Sequence, residues 1–381
     1  MGFLLLVLVG GLATIFLTDS GDSDDGGSSS YDPAADNTLT GDDGLDTIFG
    51  GLGNDTIDGA GGNDVLWAGM GDDSVTGGGG DDTIRGEPGN DLIAGEAGND
   101  SIYGGLGHDF ILGGEGDDTI NSTGGTNTIL GGMGNDVIEN FGFTGGGAIT
   151  NGGEGDDTIT ATGATADPFD LVSPIFNSVF GGDGDDQITV SDGNLEVSGG
   201  TGNDELTFLA GEAGTATIMG DGGADTITAD NGNGLLTGGS GNDEIRLTGE
   251  GATAEDGWVV RGGDGDDQIY FKTNASVFGN DGADTFNVYI DDEPPETDPN
   301  IPLIGDYTPG EDMIVLNYSY PEGAADPTAG IDVMVSYDAV DDVTLINAYG
   351  EDVARLPGNV ALTAADIALT GTPIPAAPPV V

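Results

Sequence analysis

Along residues 41–139 an aliphatic side chain returns at every ninth position: Ile48, Ile57, Leu66, Val75, Ile84, Ile93, Ile102, Ile111, Ile120, Ile129 and Ile138. The residue before it is threonine at Thr47, Thr56, Thr83 and Thr119. One apolar position between polar neighbours fits a three-residue strand, because alternate residues point to opposite faces, and threonine suits the outward side. One aliphatic group in nine residues makes no core alone. Stacked as coils of a solenoid, these groups line up into a ladder, and a fixed period this short points to that architecture.

The other positions are glycine or polar. Copies start at residues 41, 50, 59, 68, 77, 86, 95, 104, 113, 122 and 131, and the second reads Gly50-Gly51-Leu52-Gly53-Asn54-Asp55-Thr56-Ile57-Asp58. Glycine-rich positions one to four let the backbone turn tightly. Position six is Asp46, Asp55, Asp64, Asp73, Asp82, Asp91, Asp100, Asp109, Asp118 and Asp136, with Asn127 in the copy that opens at Ser122. Asp42, Glu87 and Glu96 depart from glycine at position two, and Ala68 at position one. Stacking brings the carboxylates into register, where they repel unless a cation lies between them. Ca2+ suits such a place, since it takes about six to eight oxygen ligands, carboxylate and backbone carbonyl, in flexible geometry.

This phrase resembles the RTX (repeats-in-toxin) nonapeptide G-G-x-G-x-D-x-U-x of hemolysin-type calcium-binding regions. The resemblance implies an all-β, right-handed parallel β-roll in which two nonapeptides form one turn. It implies multiple Ca2+ ions between loops stacked on the same side, with position-six aspartates bridging them. Same-side partners would then be eighteen residues apart, as Asp55 and Asp73 are.

After Glu139 the spacing loosens. Further copies start at 152, 181, 199, 220, 238, 262 and 279, with Asp157, Asp186, Asp204, Asp225, Asp243, Asp267 and Asp284 at position six. Position eight is Ile159, Ile188, Leu206, Ile227, Ile245, Ile269 and Phe286. Ordinary turn-and-strand segments such as 192–198 and 231–237 lie between them. The expectation over 141–290 is a continued β-solenoid with calcium mainly on one edge. Residues 161–180, with Pro168, Phe169 and Phe176, read as a surface loop or flap.

The flanks differ in composition. Residues 1–18 are an uncharged, apolar segment that reads as an anchor or a signal. The length is at the short edge for a membrane helix, and no Lys or Arg precedes it as a signal would require. Residues 19–40 read as an acidic flexible linker. Residues 291–381 read as a small C-terminal β cap domain, with alternating runs at 312–317, 331–337 and 343–348 and a hairpin turn near Gly350. Within it Ile304-Gly-Asp-Tyr-Thr-Pro-Gly-Glu-Asp-Met-Ile-Val-Leu316 resembles the segment that closes many RTX regions. That resemblance implies an export role with type I secretion machinery.

Charge narrows the function. The chain has 69 Asp and Glu against five Lys and Arg, for a net charge of −64. Ca2+ on eighteen copies would offset at most about 36 charges. Such an excess disfavours nucleic acid and anionic membrane surfaces. There is no cysteine, which removes disulfides and thiol chemistry. Calcium sites of extracellular modules work at roughly 10⁻⁴ to 10⁻³ M, so the chain is expected to be secreted or tethered at the cell surface. His108 is the only histidine, so no H-E-x-x-H is possible, and no G-x-S-x-G elbow occurs. The reading is a calcium-binding β-roll that folds on binding and has no catalytic site. An adhesin or spacer rod is the first alternative, and a polysaccharide-acting parallel β-helix enzyme the second. Any carbohydrate or cell-surface partner stays unnamed at this level.

Overall fold

The computed structural model describes residues 7–9, 12–14, 33–141, 147–162, 177–209, 215–248, 257–272, 275–290, 301–321, 333–338, 342–348, 351–363 and 365–374. The surface loop or flap expected over 161–180 is narrower at both ends, because residues 161–162 belong to the strand Thr158–Thr162 and 177–180 to the strand Asn177–Asp183, with Ala161 and Val179 buried. Its middle, 163–176, lies outside the described residues, as do the acidic stretch 19–32, the proline-rich 291–300 and the tail 375–381. Every described element is a strand. The chain divides into two compact units, Met1–Val190 with Asn194–Glu196, and Ser191–Gly193 with Val197–Val381.

The first unit is a parallel β-solenoid. Strands that begin at position seven of alternate copies stack on one another. Thr47–Leu52, Val65–Met70, Thr83–Pro88 and Ser101–Leu106 form one sheet, with Ile48 beside Leu66, Leu66 beside Ile84, and Ile84 beside Ile102. Thr56–Asp58, Ser74–Gly79, Leu92–Ala97 and Phe110–Glu115 form the other, with Ile57 beside Val75 and Ile93 beside Ile111. The register is eighteen residues, so two nonapeptides make one coil. The position-eight side chains of both sheets are buried as two facing ladders. Outward positions are half-buried or exposed, and one outward row is aromatic. Phe49 meets Trp67 edge-on with centroids 5.0 Å apart, and the Arg85 guanidinium lies 5.7 Å from Trp67 and 4.7 Å from Tyr103.

The solenoid starts earlier than the repeats suggest. Thr38–Thr40, expected in the linker, is a strand whose Leu39 is buried and pairs with Ile57. Residues 33–40 form a degenerate copy, with Asn37 at position six and Leu39 at position eight. Asn37 takes the first place in the stack because its N–H donates to Asp55 Oδ1 (2.7 Å). At the chain start, Val7–Val9 and Leu12–Thr14 form an antiparallel pair. Among the described residues no helix is long and apolar enough to cross a membrane.

The second unit is also parallel, with coils that vary from 17 to 28 residues. Glu205–Leu209, Thr226–Asp230, Glu244–Leu247, Gln268–Phe271 and Thr285–Ile290 stack in one sheet. The C-terminal region is built into it. Met313–Pro321 pairs with Thr285–Ile290, and Ile367–Ile374 adds beside Met313–Pro321, both parallel. Only Val333–Asp338, Val343–Ala348 and Glu351–Pro357 form the antiparallel meander the alternation suggests, and Arg355 pairs with Leu303 of the solenoid. The alternating runs thus divide between two uses, because an edge strand of the solenoid offers Met313–Pro321 the same parallel partner that each earlier coil had.

The ladders carry the apolar core, so removing a rung is costly. Ile102→Ala is expected to lower the unfolding free energy by about 2–5 kcal/mol. The outward Thr119→Ala should stay within about 0.5 kcal/mol. Urea unfolding of both variants measures the difference.

Candidate metal centres

Every position-six aspartate named from the sequence is buried or nearly so, and the structure arranges them in rows along the loop edges. In the first unit one row runs Asp46, Asp64, Asp82, Asp100, Asp118, Asp136, Asp157 and Asp186. The opposite edge runs Asn37, Asp55, Asp73, Asp91, Asp109 and Asn127. In the second unit a row runs Asp204, Asp225, Asp243, Asp267, Asp284 and ends at Asp312. Within a row each carboxylate accepts, through Oδ1, the N–H of the position-six residue one coil earlier. The distances are 2.8 Å for Asp46 to Asp64, 2.7 Å for Asp55 to Asp73, 2.8 Å for Asp204 to Asp225 and 3.1 Å for Asp284 to Asp312.

This bond settles the other oxygen. With Oδ1 held by the preceding coil, Oδ2 turns into the loop interior. The Oδ2 atoms of Asp55, Asp64, Asp73, Asp82, Asp91, Asp100, Asp118, Asp136, Asp157, Asp186, Asp204, Asp225, Asp243, Asp267 and Asp284 are buried without a hydrogen-bond partner. None of these residues is more than 3 % exposed. A buried, unpaired carboxylate oxygen is expensive, and so many at one position of one repeat call for a common counter-charge.

Glycine at position one leaves the space. A Cβ on Gly86 would lie 2.4 Å from Asp91 Oδ2 and 2.4 Å from the Gly104 carbonyl oxygen. Gly59, Gly95, Gly113, Gly220 and Gly238 border the same pairing of their own aspartate with the carbonyl one coil on. The coils also approach closely at position two, where a Cβ on Gly69 (φ 118°) would stand 2.1 Å from Gly51 O. Glu87 and Glu96 hold that left-handed conformation despite their side chains, with φ of 72° and 76°. Among the described residues no three His, Asp or Glu side chains converge as a metal cluster. The donors offered are one carboxylate oxygen and backbone carbonyls, a hard oxygen set that fits Ca2+ and lacks the nitrogen and sulfur ligands zinc prefers.

Not all the candidates are alike. Asp46 Oδ2 accepts the Asp42 N–H (2.8 Å), and Asp109 Oδ2 accepts the Ser122 hydroxyl (3.2 Å). In later coils one edge changes character. The place held by Gly50, Gly86 and Gly104 is taken by buried Ala161 and Val190 in the first unit. In the second unit it is taken by Phe208, Ala229, Leu247, Phe271, Val288 and Leu316, all buried. Apolar side chains fill the cradle there, and the aspartate row is confined to the other edge, which keeps glycine at 199, 220, 238, 262 and 279.

The sequence reading missed position five. Its side chain accepts the position-five N–H of the next coil: Asp72 N to Asn54 Oδ1 at 3.0 Å, Asn90 N to Asp72 Oδ1 at 2.9 Å, Asp117 N to Asn99 Oδ1 at 3.0 Å. His108 belongs to this series, its Nδ1 accepting the Thr126 N–H at 2.8 Å. The preference for Asn or Asp at position five was visible as composition, and only stacking gives it a partner. Asp312 and Asp306 were also missed. Asp312 Oδ2 accepts the Thr308 N–H (2.7 Å), and Asp306 accepts the N–H groups of Gly279 (2.9 Å) and Asn280 (3.0 Å). These bonds finish loops that no further copy follows.

Burial pushes Asp91, Asp136, Asp225 and Asp267 up to about 7. It pushes Asp82, Asp100, Asp118, Asp157 and Asp284 up to about 6. Loss of water is the main cause, the accepted backbone N–H opposes it, and neighbouring carboxylates add to the rise.

The RTX calcium-binding nonapeptide repeat (4 copies) is the family model that matches, at residues 34–66, 67–102, 76–111, 103–138, 176–206, 210–245 and 259–272. No curated protein matches the chain significantly.

The raised values set a pH dependence. Without metal, the folded state holds protons that the unfolded chain, at an ordinary 3.8, releases. The stability from these groups is complete below about pH 4 and is lost as pH rises through about 6 to 7. In chelator, β circular dichroism should therefore grow as pH falls from 8 to 5. In calcium the half-saturating concentration should rise over the same descent, because protons compete for the ligands.

Proposed function

We infer that this chain, which carries RTX calcium-binding nonapeptide repeats across residues 34–272, is a scaffold that Ca2+ assembles. The ligands we assign are Asp55, Asp64, Asp73, Asp82, Asp91, Asp100, Asp118, Asp136, Asp157, Asp186, Asp204, Asp225, Asp243, Asp267 and Asp284, together with the loop carbonyls facing them. The observation that carries this reading is the row of buried Oδ2 atoms without a hydrogen-bond donor. Bound there, Ca2+ supplies the positive charge that lets stacked carboxylates share a water-poor loop.

The chain's own residues prepare each place. The N–H of one coil orients the carboxylate of the next, a small residue at position one (glycine, or Ala68 in the Asp73 loop) borders the space, and the position-eight ladder holds adjacent loops in register. In the absence of the ion the same loops concentrate negative charge, and the −64 net charge works against compaction. Binding confined to the folded state stabilises it by mass action, so folding follows calcium steeply. Such a switch suits export: the chain would stay extended where calcium is scarce and fold outside the cell, where it is plentiful. The Ile304–Leu316 resemblance supports passage through type I secretion machinery. The reading assigns no catalytic step, since the carboxylates that could act as acid and base already have a structural use.

Circular dichroism with light scattering, titrating the full chain from chelator to millimolar Ca2+, tests it. A cooperative gain of β signal with a falling hydrodynamic radius is expected. A chain with the same signal and radius at both ends of the titration would overturn the reading.

A further inference from the structure

On the edge that carries Asp55, Asp73 and Asp91, the next two coils depart from the pattern together. Position one, glycine at residues 50, 86 and 104, becomes Ser122 and then Asn140. Position six becomes Asn127, and position eight becomes the buried Thr150, paired with Ile129. These changes meet in space. Ser122 Oγ lies in the Gly104 cradle, 2.5 Å from where a Gly104 Cβ would be, with Asp109 Oδ2 at 2.7 Å from the same point. In the Gly86 cradle the corresponding neighbours are Asp91 Oδ2 and a backbone carbonyl. The Ser122 hydroxyl donates to Asp109 Oδ2 at 3.2 Å.

One coil on, Asn127 Oδ1 accepts the Asp109 N–H (3.0 Å), as the carboxylates do elsewhere. Its amide nitrogen donates to Gly124 O (3.1 Å) and to Asn140 Oδ1 (3.3 Å), and Asn140 donates in turn to Thr150 Oγ1 at 2.9 Å. Asn177 then accepts the N–H groups of Gly147 (3.0 Å) and Ala148 (3.1 Å). Hydroxyl and amide side chains donate here, as the Asn37 amide also does to Gly50 O (3.3 Å) and Asp55 Oδ1 (3.0 Å) at the first loop of this edge.

We propose that the Asp109 loop and the Asn127 loop hold no calcium, their ion being replaced by the Ser122, Asn127, Asn140 and Thr150 hydrogen bonds. The calcium row of that edge therefore ends at Asp91. This junction joins an ion-held edge to the coils whose cradles are closed by Ala161 and Val190. An abrupt change from an open cradle to an apolar filling would leave the last carboxylate without a partner. The neutral rungs remove the charge first and the cavity afterwards. The inference rests on the calcium reading above and refines which aspartates take part.

Bound calcium per chain, measured by equilibrium dialysis with metal analysis, tests it on the full chain beside its melting temperature. Asp91→Asn should lose one ion. Asp109→Asn should lose none, and the pair Ser122→Gly with Asn127→Asp should gain at least one. Ser122→Ala, which keeps every carboxylate, should leave the ion count unchanged and lower Tm. Loss of an ion from Asp109→Asn equal to that from Asp91→Asn would overturn the proposal while leaving the calcium reading intact. So would a Ser122→Ala chain with unaltered Tm. A parent chain that takes up no calcium would overturn both.

Discussion

The structure depends on one constraint, the pinning of a carboxylate by the coil before it. Once Oδ1 of a position-six aspartate receives the N–H of its predecessor, the second oxygen has nowhere to point but inward. Everything at the loop answers that fact: glycine at position one, the facing carbonyl, and the close approach at position two. A solvent-exposed aspartate would have found water and imposed nothing. Here burial turns a repeated acidic residue into a repeated demand for positive charge or a donor.

That demand is met in more than one way along the chain. Most loops leave it open to a cation. Asp109 meets it with a serine hydroxyl, and Asp312 with the N–H of Thr308. In the later coils Phe208, Leu247 and Phe271 occupy the space on one edge with buried apolar side chains. The outcome follows from what enters the cradle: glycine or Ala68 at position one leaves it polar, the Ser122 hydroxyl of the next coil brings a donor into the Gly104 cradle, and a large apolar side chain makes it part of the core.

Much of this was legible in the residues. Ile48 to Ile138 disclosed the ladder and its period, and Asp46 to Asp136 disclosed the loop carboxylates, because burial and charge leave strict marks at fixed spacing. The copies after residue 152 could be aligned on the same two positions. What was not legible had its partner a coil away. Position five looks like an ordinary polar surface residue until Asn54 is seen to accept from Asp72. Asn37 and Leu39 were hidden in a linker since Asp32-Pro-Ala-Ala has no glycine to announce a copy. The fate of Met313–Pro321 turned on an unpaired edge that alternation alone does not reveal.

The spacing of the hydrogen bonds along the rows has a consequence of its own. Asp118 reaches Asp136 across 18 residues, Asp136 reaches Asp157 across 21, and Asp157 reaches Asp186 across 29, each at 2.8 Å. The separation along the chain varies by eleven residues and the joint is the same. The row is a ruler graduated in coils and indifferent to how much peptide is spent between marks. The far side of one coil in this row can therefore carry up to eleven more residues than that of another, and the next aspartate still arrives at its appointed place.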